Sequence, residues 1–500
     1  MSALNLATPA GATIALLPEL VVTATALIVL LINAWRHQTA ADSKLAGWVA
    51  LGGIGASIAT LVALWRGGAV AEGPAHMIAL DQYRFAALLL VLVASAGAIL
   101  LSLDYLERED LIAPEYYALL LMATSGMMFL AGAEDLIVLF LGLEVMSVPI
   151  YVLAAFNRRS VLSAEAGIKY FLVGAFASAF LLYGIALVYG ATGQTALTAI
   201  GASIAKHGLA PMSAMGVALI LIGLGFKVAS VPFHMWAPDV YDGAPTPVTA
   251  YMATGVKVAG FVALVRVLMV GFGTSVDTWQ PLVGALAAAS MIVGNLVALV
   301  QRSLKRLLAY SSIAHAGYLL SAVWAGSRAG AGATLLYLGA YVLTTLATFG
   351  ILAVLGRGGE RDVTLDSVAG LARKRPWLAF SLTVCMFSLL GFPGTFGFIG
   401  KWAILSAVTA EHHRLLAIIL VLTSLVSAGY YLPVVRSIYM RDPLSEQAHD
   451  GSVLPTAATW VVAVSVVLIL VFGVVPELLV TGSEQSAASF AGTGLDRIGH

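Results

Sequence analysis

Long apolar segments alternate with short polar connections along almost the whole chain. Because about 20 consecutive apolar residues cross the hydrocarbon core of a bilayer as a helix, each such segment predicts one membrane span. Fourteen spans are predicted in this way, near residues 12–33, 45–65, 85–103, 116–132, 135–156, 166–190, 212–240, 246–270, 281–300, 307–326, 332–355, 378–408, 414–435 and 458–480. The pattern therefore predicts an all-α polytopic membrane protein.

The composition agrees with this fold class. Apolar residues make up 60% of the 500 positions and charged residues 10%, against about 45–50% and 25% in an ordinary soluble domain. The formal net charge is zero, so charge gives no sign of a nucleic-acid partner. The single cysteine, Cys385, excludes an internal disulfide and a thiolate-ligated metal cluster. No closely spaced set of His, Cys and carboxylate residues indicates a metal, and we expect no cofactor in this chain.

Basic residues are distributed unevenly between the two sides of the predicted spans. Alternate loops, with the helix ends beside them, hold 16 Lys and Arg residues on one side and six on the other. The positive-inside rule assigns the basic side to the cytoplasm. Since an even number of spans places both termini together, we predict that both face outward.

Two predicted spans are too long for one straight crossing and should be broken helices. The span 212–240 contains Pro232 and Pro238, and the span 378–408 contains Pro393 between glycines. Interrupted spans in corresponding positions indicate an internal repeat around a transport site. The interrupted span is the fourth in each of two five-helix sets, spans 4–8 and 9–13. Because five is an odd number, the second copy must be inverted in the membrane. The predicted domains are 1–110 (helices 1–3), 111–275 (helices 4–8), 276–442 (helices 9–13) and 443–500 (helix 14 and tail).

Several charged residues lie deep inside predicted spans. A charge at the middle of a membrane helix costs roughly 2.5–3.5 kcal/mol, so it usually faces a protein interior and serves a function. Glu144, Lys227, Lys257 and Lys401 fit this description, and we predict that they relay protons. Desolvation disfavours an ammonium and a nearby carboxylate favours it, which suits lysine to proton transfer. The structural alternative is a set of buried ion pairs that fix helix register. Arg266, close to a helix end, is predicted to snorkel to the interface.

Polar residues form a stripe on predicted span 10. Helical spacing places Ser311, Ser312, His315 and Tyr318 on one face, with Tyr310 beside them. A stripe of this kind either carries a water wire or joins helices by hydrogen bonds, and the pattern leaves both open. His234, in the break of the seventh span, is either a proton carrier or a loop histidine with satisfied hydrogen bonds.

Three sequence motifs resemble those of a known family. They are GFKVASVPFHMWAPDVY at 225–241 followed by GAPTPV at 243–248, KRLLAYSSI at 305–313 followed by His315 and Gly317-Tyr318, and GFIGK at 397–401. Together with fourteen spans, they resemble the antiporter-like membrane subunits of respiratory complex I, the bacterial proton-translocating NADH:quinone oxidoreductase. Nearly the whole chain is covered by this resemblance.

The resemblance implies two inverted five-helix repeats, each enclosing a proton half-channel, joined by a hydrophilic axis at mid-membrane. It assigns Glu144 as the carboxylate on span 5, Lys227 as its partner, Lys257 as the connecting lysine and Lys401 as the terminal lysine. His315 would lie between the halves. Among the branches of the family, subunit M is expected to carry glutamate at the position of Lys401 and subunit L to be longer. The chain is therefore most similar to the subunit N branch.

The function that the resemblance implies is proton translocation driven by partner subunits. The resemblance also implies the inner membrane of a bacterium as the location, with both termini on the periplasmic side. The expected partners are subunit M, small membrane subunits and the bilayer, with NAD, FMN, iron–sulfur clusters and quinone held elsewhere in the complex. No redox site is expected in this chain. One alternative is a subunit of a multi-subunit Na⁺/H⁺ antiporter or of a membrane-bound hydrogenase. Another is a structural spacer whose buried charges only hold helices together.

Overall fold

The protein is helical throughout the part of the chain that its structure describes. A computed structural model describes residues 4–6, 8–35, 39–69, 77–356, 363–411, 414–443 and 456–489. Within these residues there is no β-strand, and β-type pairing is limited to isolated bridges. Eleven described helices are long and apolar enough to cross a membrane. The predicted all-α membrane fold is thereby confirmed.

The helices of the described residues are numbered in chain order. They are α1 (Pro9–Ala15), α2 (Leu17–Trp35), α3 (Ala40–Arg66), α4 (Gln82–Arg108), α5 (Glu115–Gly132), α6 (Leu136–Ala154), α7 (Val161–Thr192), α8 (Leu197–His207), α9 (Pro211–Lys227), α10 (Ala237–Gly243), α11 (Thr246–Tyr251), α12 (Lys257–Arg266), α13 (Val276–Ala298), α14 (Leu304–Trp324), α15 (Arg328–Leu355), α16 (Leu371–Lys374), α17 (Pro376–Leu390), α18 (Phe396–Ala410), α19 (Arg414–Met440), α20 (Thr456–Val474) and α21 (Glu477–Ala488). Turns of π-helix, Met252–Val256 and Val267–Gly271, join α11 and α12 into one apolar span.

Each of the fourteen predicted spans overlaps a helix, and the two long spans are interrupted where the sequence indicates. Between α9 and α10 the chain forms turns around Pro232, and between α17 and α18 it forms turns around Pro393. Proline removes a helical hydrogen bond and clashes with the preceding turn, which ends both leading helices. The exact number of membrane crossings and the inverted repeat remain predictions.

The sequence pattern missed three short helices, one of which is the single turn α16. The helix α8 is only 11 residues long, and α21 follows directly after α20. Both are too short for a membrane span, so a search for 20-residue apolar runs does not detect them. The predicted span 458–480 was too long at its end, because Pro476 terminates α20 and precedes the first residue of α21.

Three spans form the centre of the molecule. The span Thr246–Gly271, which contains α11 and α12, is buried completely, and α14 and α15 are nearly as enclosed. Glycine allows some neighbouring helices to approach closely. A Cβ on Gly126 would come within 2.2 Å of the backbone nitrogen of Met146, and one on Gly317 within 2.6 Å of that of Met291. The central helices carry Lys257 and His315, so these residues lie inside protein.

Candidate functional site: buried lysines held by neutral groups

The three predicted relay lysines are enclosed by protein. Lys227 is 3% exposed, Lys257 is 2% exposed and Lys401 is 7% exposed, and His315 beside them is 2% exposed. None of these side chains faces the surface that would contact acyl chains. Because burying an ammonium is costly unless it is hydrogen-bonded, the groups that surround each lysine determine what it can do.

Lys227 is held by aromatic rings at the end of α9. It is the last helical residue, where unpaired carbonyls favour a cation. Its Nζ donates a hydrogen bond to Tyr151 Oη at 3.2 Å. It also lies 5.0 Å from the ring centroid of Tyr151, 5.2 Å from that of Tyr170 and 5.4 Å from that of Phe226. Cation–π attraction to these faces stabilises the ammonium without a bound anion.

Glu144 and Lys227 form no direct ion pair among the described residues, and their functional pairing stays a prediction. Glu144 is half-buried on α6, and its Oε1 accepts a hydrogen bond from Ser178 Oγ at 2.5 Å. Tyr151 lies two helical turns further along α6 and takes the position next to Lys227. Lys227 thus contacts the helix that carries Glu144 through Tyr151.

Lys257 is the first residue of α12 and follows a π-helical turn. Its Nζ donates to the carbonyl oxygen of Ser312 at 2.6 Å and to Ser312 Oγ at 2.5 Å, and it lies 5.1 Å from the ring centroid of Tyr341. Turns of π-helix are often found at functional sites. One turn further on, Gly260 leaves room for Lys227, whose Cβ would be 3.9 Å from a Cβ on the glycine. The helix that begins at Lys257 thus packs against the base of the Lys227 side chain.

Lys401 is held at the second helix break. Its Nζ donates to the carbonyl oxygen of Leu390 at 3.0 Å and lies 4.6 Å from the ring centroid of Tyr318. Leu390 is the last residue of α17, so the break leaves its carbonyl free to accept. Tyr318 Oη in turn accepts a hydrogen bond from Asn295 Nδ2 at 3.1 Å, and Asn295 Oδ1 accepts one from Tyr430 Oη at 2.9 Å.

His315 lies at the centre of a group of hydroxyl groups. Its Nδ1 is hydrogen-bonded to Tyr337 Oη, and its Nε2 is 3.1 Å from Tyr431 Oη. Ser311 Oγ is hydrogen-bonded to the same Tyr431 hydroxyl. In either tautomer of His315 one ring nitrogen donates and the other accepts, and a tyrosine hydroxyl group can rotate to pair with either nitrogen. The predicted polar stripe therefore faces a buried hydroxyl network.

Two predicted residues lie at the edge of this arrangement. Tyr310 is half-buried, and its ring packs against the hydrophobic core. His234 is half-buried in the turn between α9 and α10, and among the described atoms its Nδ1 is buried with no hydrogen-bond partner. Neither residue joins the hydroxyl groups around His315 in the described structure.

Sequence reasoning missed most of the aromatic residues that connect the lysines. Tyr170 stacks on Trp236 with ring centroids 4.2 Å apart and planes 8° from parallel, and Trp236 lies edge-on to Tyr241. Tyr241 Oη is 3.5 Å from Ser312 Oγ, which accepts from Lys257. The one sign of these residues in the sequence was Tyr151, which follows Glu144 by seven residues and therefore lies on the same helix face.

The prediction that Arg266 snorkels to the interface was wrong. Arg266 is 1% exposed, and its two terminal nitrogens bind Asp81 at 2.7 and 3.0 Å. Asp81 caps the start of α4. Burial tends to raise the pKa of this carboxyl, but the adjacent guanidinium lowers it by more, so the pKa lies below its ordinary value. Arg84 forms a second buried pair nearby, with its Nη2 2.5 Å from Glu19 Oε1.

A charged network lies beside α10. Asp239 accepts hydrogen bonds from Lys169 Nζ at 2.7 Å and from Arg306 Nη1 at 2.9 Å, and Lys169 also pairs with Glu165. Because α10 also carries Tyr241, this network fixes the helix that presents a hydroxyl group to Ser312. Among the described residues no group of His, Cys, Asp and Glu could hold a metal ion.

An all-helical membrane protein with buried ammonium groups held by neutral ligands belongs to the class of ion-translocating membrane subunits. A family model described as "NADH:quinone oxidoreductase/Mrp antiporter, TM" matches residues 133–427, which is more than half of the chain and includes every predicted relay residue. A protein of Gemmatimonas aurantiaca named NADH-quinone oxidoreductase subunit N is 44% identical over 475 residues, covering 92% of this chain and 91% of that protein. A protein of Trichlorobacter lovleyi with the same name is 40% identical, covering 94% and 96%. The chain therefore belongs to the subunit N family of these antiporter-like membrane subunits.

Solved structures agree with this assignment. A chain of respiratory complex I from Thermus thermophilus is 37% identical, with a TM-score of 0.79 and coverage of 93% of this chain and 98% of that one. A chain of the Mrp complex from Dietzia sp. is 22% identical, with a TM-score of 0.83 and coverage of 97% and 99%. The second likeness shows the fold alone.

Proposed function

We propose that the chain moves protons across a bacterial inner membrane as a subunit of an NADH:quinone oxidoreductase, and that Glu144, Lys227, Lys257 and Lys401 carry the transfer. One observation supports this most: three ammonium groups are buried in the middle of the protein on ligands that are mainly hydroxyl, carbonyl and aromatic groups. Such ligands tolerate both the charged and the neutral form of lysine, because they do not lose an ion pair when the proton leaves.

The geometry supports a route in three stages. Lys227 exchanges its proton with Tyr151 or with water that enters at the α9 break, and the charge of Glu144 controls how firmly the ammonium is held. Lys257 receives the proton, and Ser312 holds it there. The hydroxyl groups around His315 then connect the first lysines to Lys401. Protein hydroxyl groups both donate and accept, so a chain of them with intervening water can pass a proton along.

The second helix break supplies the exit in this proposal. Lys401 rests on the free carbonyl of Leu390, a neutral acceptor that does not hold the ammonium as an anion would. The chain is divided into two five-helix units, 111–275 and 276–442, which follow the first three helices, and each unit contributes one broken helix and one lysine beside it. An inverted pair of this kind presents one lysine toward each side of the membrane.

The partners supply the energy. The redox cofactors, namely NAD, FMN, iron–sulfur clusters and quinone, lie in other subunits, and subunit M and small membrane subunits lie beside this chain. Both termini face the periplasm, because the loops rich in Lys and Arg face the cytoplasm. Coupling consists of a change in the electrostatic field at Glu144, which weakens its hold on Lys227 and sends the proton onward.

Proton pumping by the intact complex tests the proposal. The variants Lys227→Ala and Glu144→Ala are expected to assemble and to reduce quinone while the number of protons moved per electron falls, measured in proteoliposomes with a pH-sensitive dye. The control Lys206→Ala changes an exposed lysine on α8 and is expected to pump normally. Normal pumping by both site variants would contradict the proposal.

Purification with neighbouring polypeptides separates this function from its closest alternative. A complex that contains flavin and iron–sulfur subunits supports the oxidoreductase. A redox-free assembly that exchanges sodium for protons would instead identify an antiporter subunit.

A further inference from the structure

A pocket at the end of α19 lies outside the proton route. Its volume is about 240 Å³, and it is lined by Leu365, Leu432, Pro433, Arg436 and Arg441. None of the predicted relay residues contributes to its walls. The lining thus combines two guanidinium groups with apolar side chains.

Local structure fixes the walls of this pocket. Pro433 lies inside α19 and cannot donate a helical hydrogen bond, which loosens the helix at this point. Leu432 and Arg436 are four residues apart and share one helix face. The opposite wall is tied to the same helix, because Ser437 Oγ donates to the carbonyl oxygen of Leu365 at 2.6 Å.

The two arginines differ in their partners. Arg441 forms an ion pair with Asp366 at 3.0 Å, which holds its side chain in place. Arg436 is exposed, and no acidic side chain of the described residues pairs with it. The pocket therefore keeps one positive charge that the described protein does not neutralise.

Neighbouring aromatic side chains indicate the depth of the pocket in the bilayer. Trp377, at the start of α17, and Tyr439, at the end of α19, are large and exposed. Exposed Trp and Tyr at helix ends are typical of the headgroup region of a membrane. The pocket lies at these same helix ends, on the side where Lys and Arg concentrate, so its arginines face lipid headgroups.

We propose that this pocket binds the phosphate group of an anionic phospholipid in the cytoplasmic leaflet. The guanidinium of Arg436 forms paired hydrogen bonds to two phosphate oxygens, a geometry that arginine matches and lysine does not. Arg441, which is paired with Asp366, completes the lining, while Leu432 and Pro433 contact the first acyl carbons. Basic pockets between membrane helices on this side are suited to anionic headgroups. The proposal depends on the predicted orientation of the chain and not on the proton route.

Retention of labelled lipid by the purified complex tests the proposal. Spin-labelled phosphatidylglycerol and phosphatidylcholine are added in turn to the complete complex in mild detergent, and the immobilised fraction is measured by electron paramagnetic resonance. The unaltered complex is expected to retain phosphatidylglycerol in preference to phosphatidylcholine. The variant Arg436→Gln should reduce that preference about fivefold, which follows from roughly 1 kcal/mol per basic residue near a membrane surface.

Two further variants sharpen the test. Arg302→Gln removes an exposed arginine on the same predicted side but outside the pocket, and it is expected to leave lipid retention unchanged. Arg436→Lys keeps the charge without the paired geometry and should give an intermediate preference. The proposal would be overturned if Arg436→Gln and the unaltered complex retained phosphatidylglycerol equally, or if the unaltered complex retained the two lipids equally. Cross-linking of Arg436→Cys to an acidic segment of a neighbouring subunit would also overturn it. Proton pumping by Arg436→Gln is expected to be normal, so this result is independent of the proton relay.

Discussion

Two regions of the molecule that contain buried charges surround those charges with different ligands. Near the start of α4, Arg84 and Arg266 are each bound to a carboxylate, at 2.5 Å and 2.7 Å. In the middle of the protein, Lys227, Lys257 and Lys401 bind hydroxyl groups, carbonyl groups and aromatic rings. Arginine stays protonated in proteins, so the first region holds fixed charges. The ligands of the lysines are neutral, and the proposed relay requires that these ammonium groups lose and regain a proton.

The largest effect is expected from breaking a fixed pair. Asp81→Asn removes the carboxylate that binds both terminal nitrogens of Arg266 and leaves only Glu134, at 3.8 Å. Breaking a buried pair typically costs about 3–5 kcal/mol. We expect the thermal stability of the purified complex to fall sharply, measured by light scattering or by loss of this subunit. The matched control is Asp277→Asn, an exposed aspartate in the first turn of α13, with an expected cost of about 0.3–1 kcal/mol. If both variants lose the same stability, the region does not hold a fixed pair.

A lysine in the second region should behave in the opposite way. Lys257→Met replaces a buried ammonium by an apolar side chain of similar length, a change that is often neutral or stabilising. We expect the complex to remain as stable as before and proton pumping to fall at least about tenfold, measured in proteoliposomes during quinone reduction. Lys206→Met on the surface of α8 is the control. A large loss of stability in Lys257→Met would favour the structural-spacer interpretation.

Tyr151→Phe tests whether a neutral ligand contributes to the proton route. The change removes the hydroxyl group that accepts from Lys227 but keeps the ring beneath the ammonium. A hydrogen bond to a charged group is worth about 1.5–3 kcal/mol, so pumping should fall about tenfold. Tyr183→Phe, an exposed tyrosine on α7, is expected to have no effect. An unaltered pumping rate in Tyr151→Phe would show that water alone serves Lys227.

The smallest effect concerns pH. Because the pKa of Asp81 is lower in the folded protein than in the unfolded chain, its contribution to stability is present above the ordinary carboxyl range and is lost as the pH falls through the folded value. The stability difference between Asp81→Asn and the unaltered complex should therefore stay constant from about pH 5 to 8 and shrink only in stronger acid. Calorimetry of both proteins checks this, and a difference that shrinks near neutral pH would contradict the assigned pair.

The sequence predicted the elements better than the contacts between them. Proline positions located both helix breaks, and the depth of Lys227, Lys257 and Lys401 within apolar runs identified them as buried. The partner of Arg266 was not predictable, because Asp81 is 185 residues away along the chain. Depth in a span shows that a charge needs a partner, but tertiary packing alone shows which one.

Tyrosine was the other source of error. Within an apolar run its ring counts as hydrophobic, so Tyr170, Tyr337 and Tyr431 gave no signal of the hydroxyl groups that they bring to the site. Their polar atoms became apparent only when helices distant in sequence were packed together. For the same reason nothing in the sequence indicated that Tyr151, on the helix of Glu144, is the side chain that contacts Lys227.

The short helix α12 links the two regions mechanically. Lys257 is its first residue and Arg266 its last, and a π-helical turn flanks each end. At 1.5 Å per residue, the helix is a rod about 14 Å long. Because Arg266 is bound to Asp81 at the start of α4, this rod sets the depth of Lys257 in the membrane.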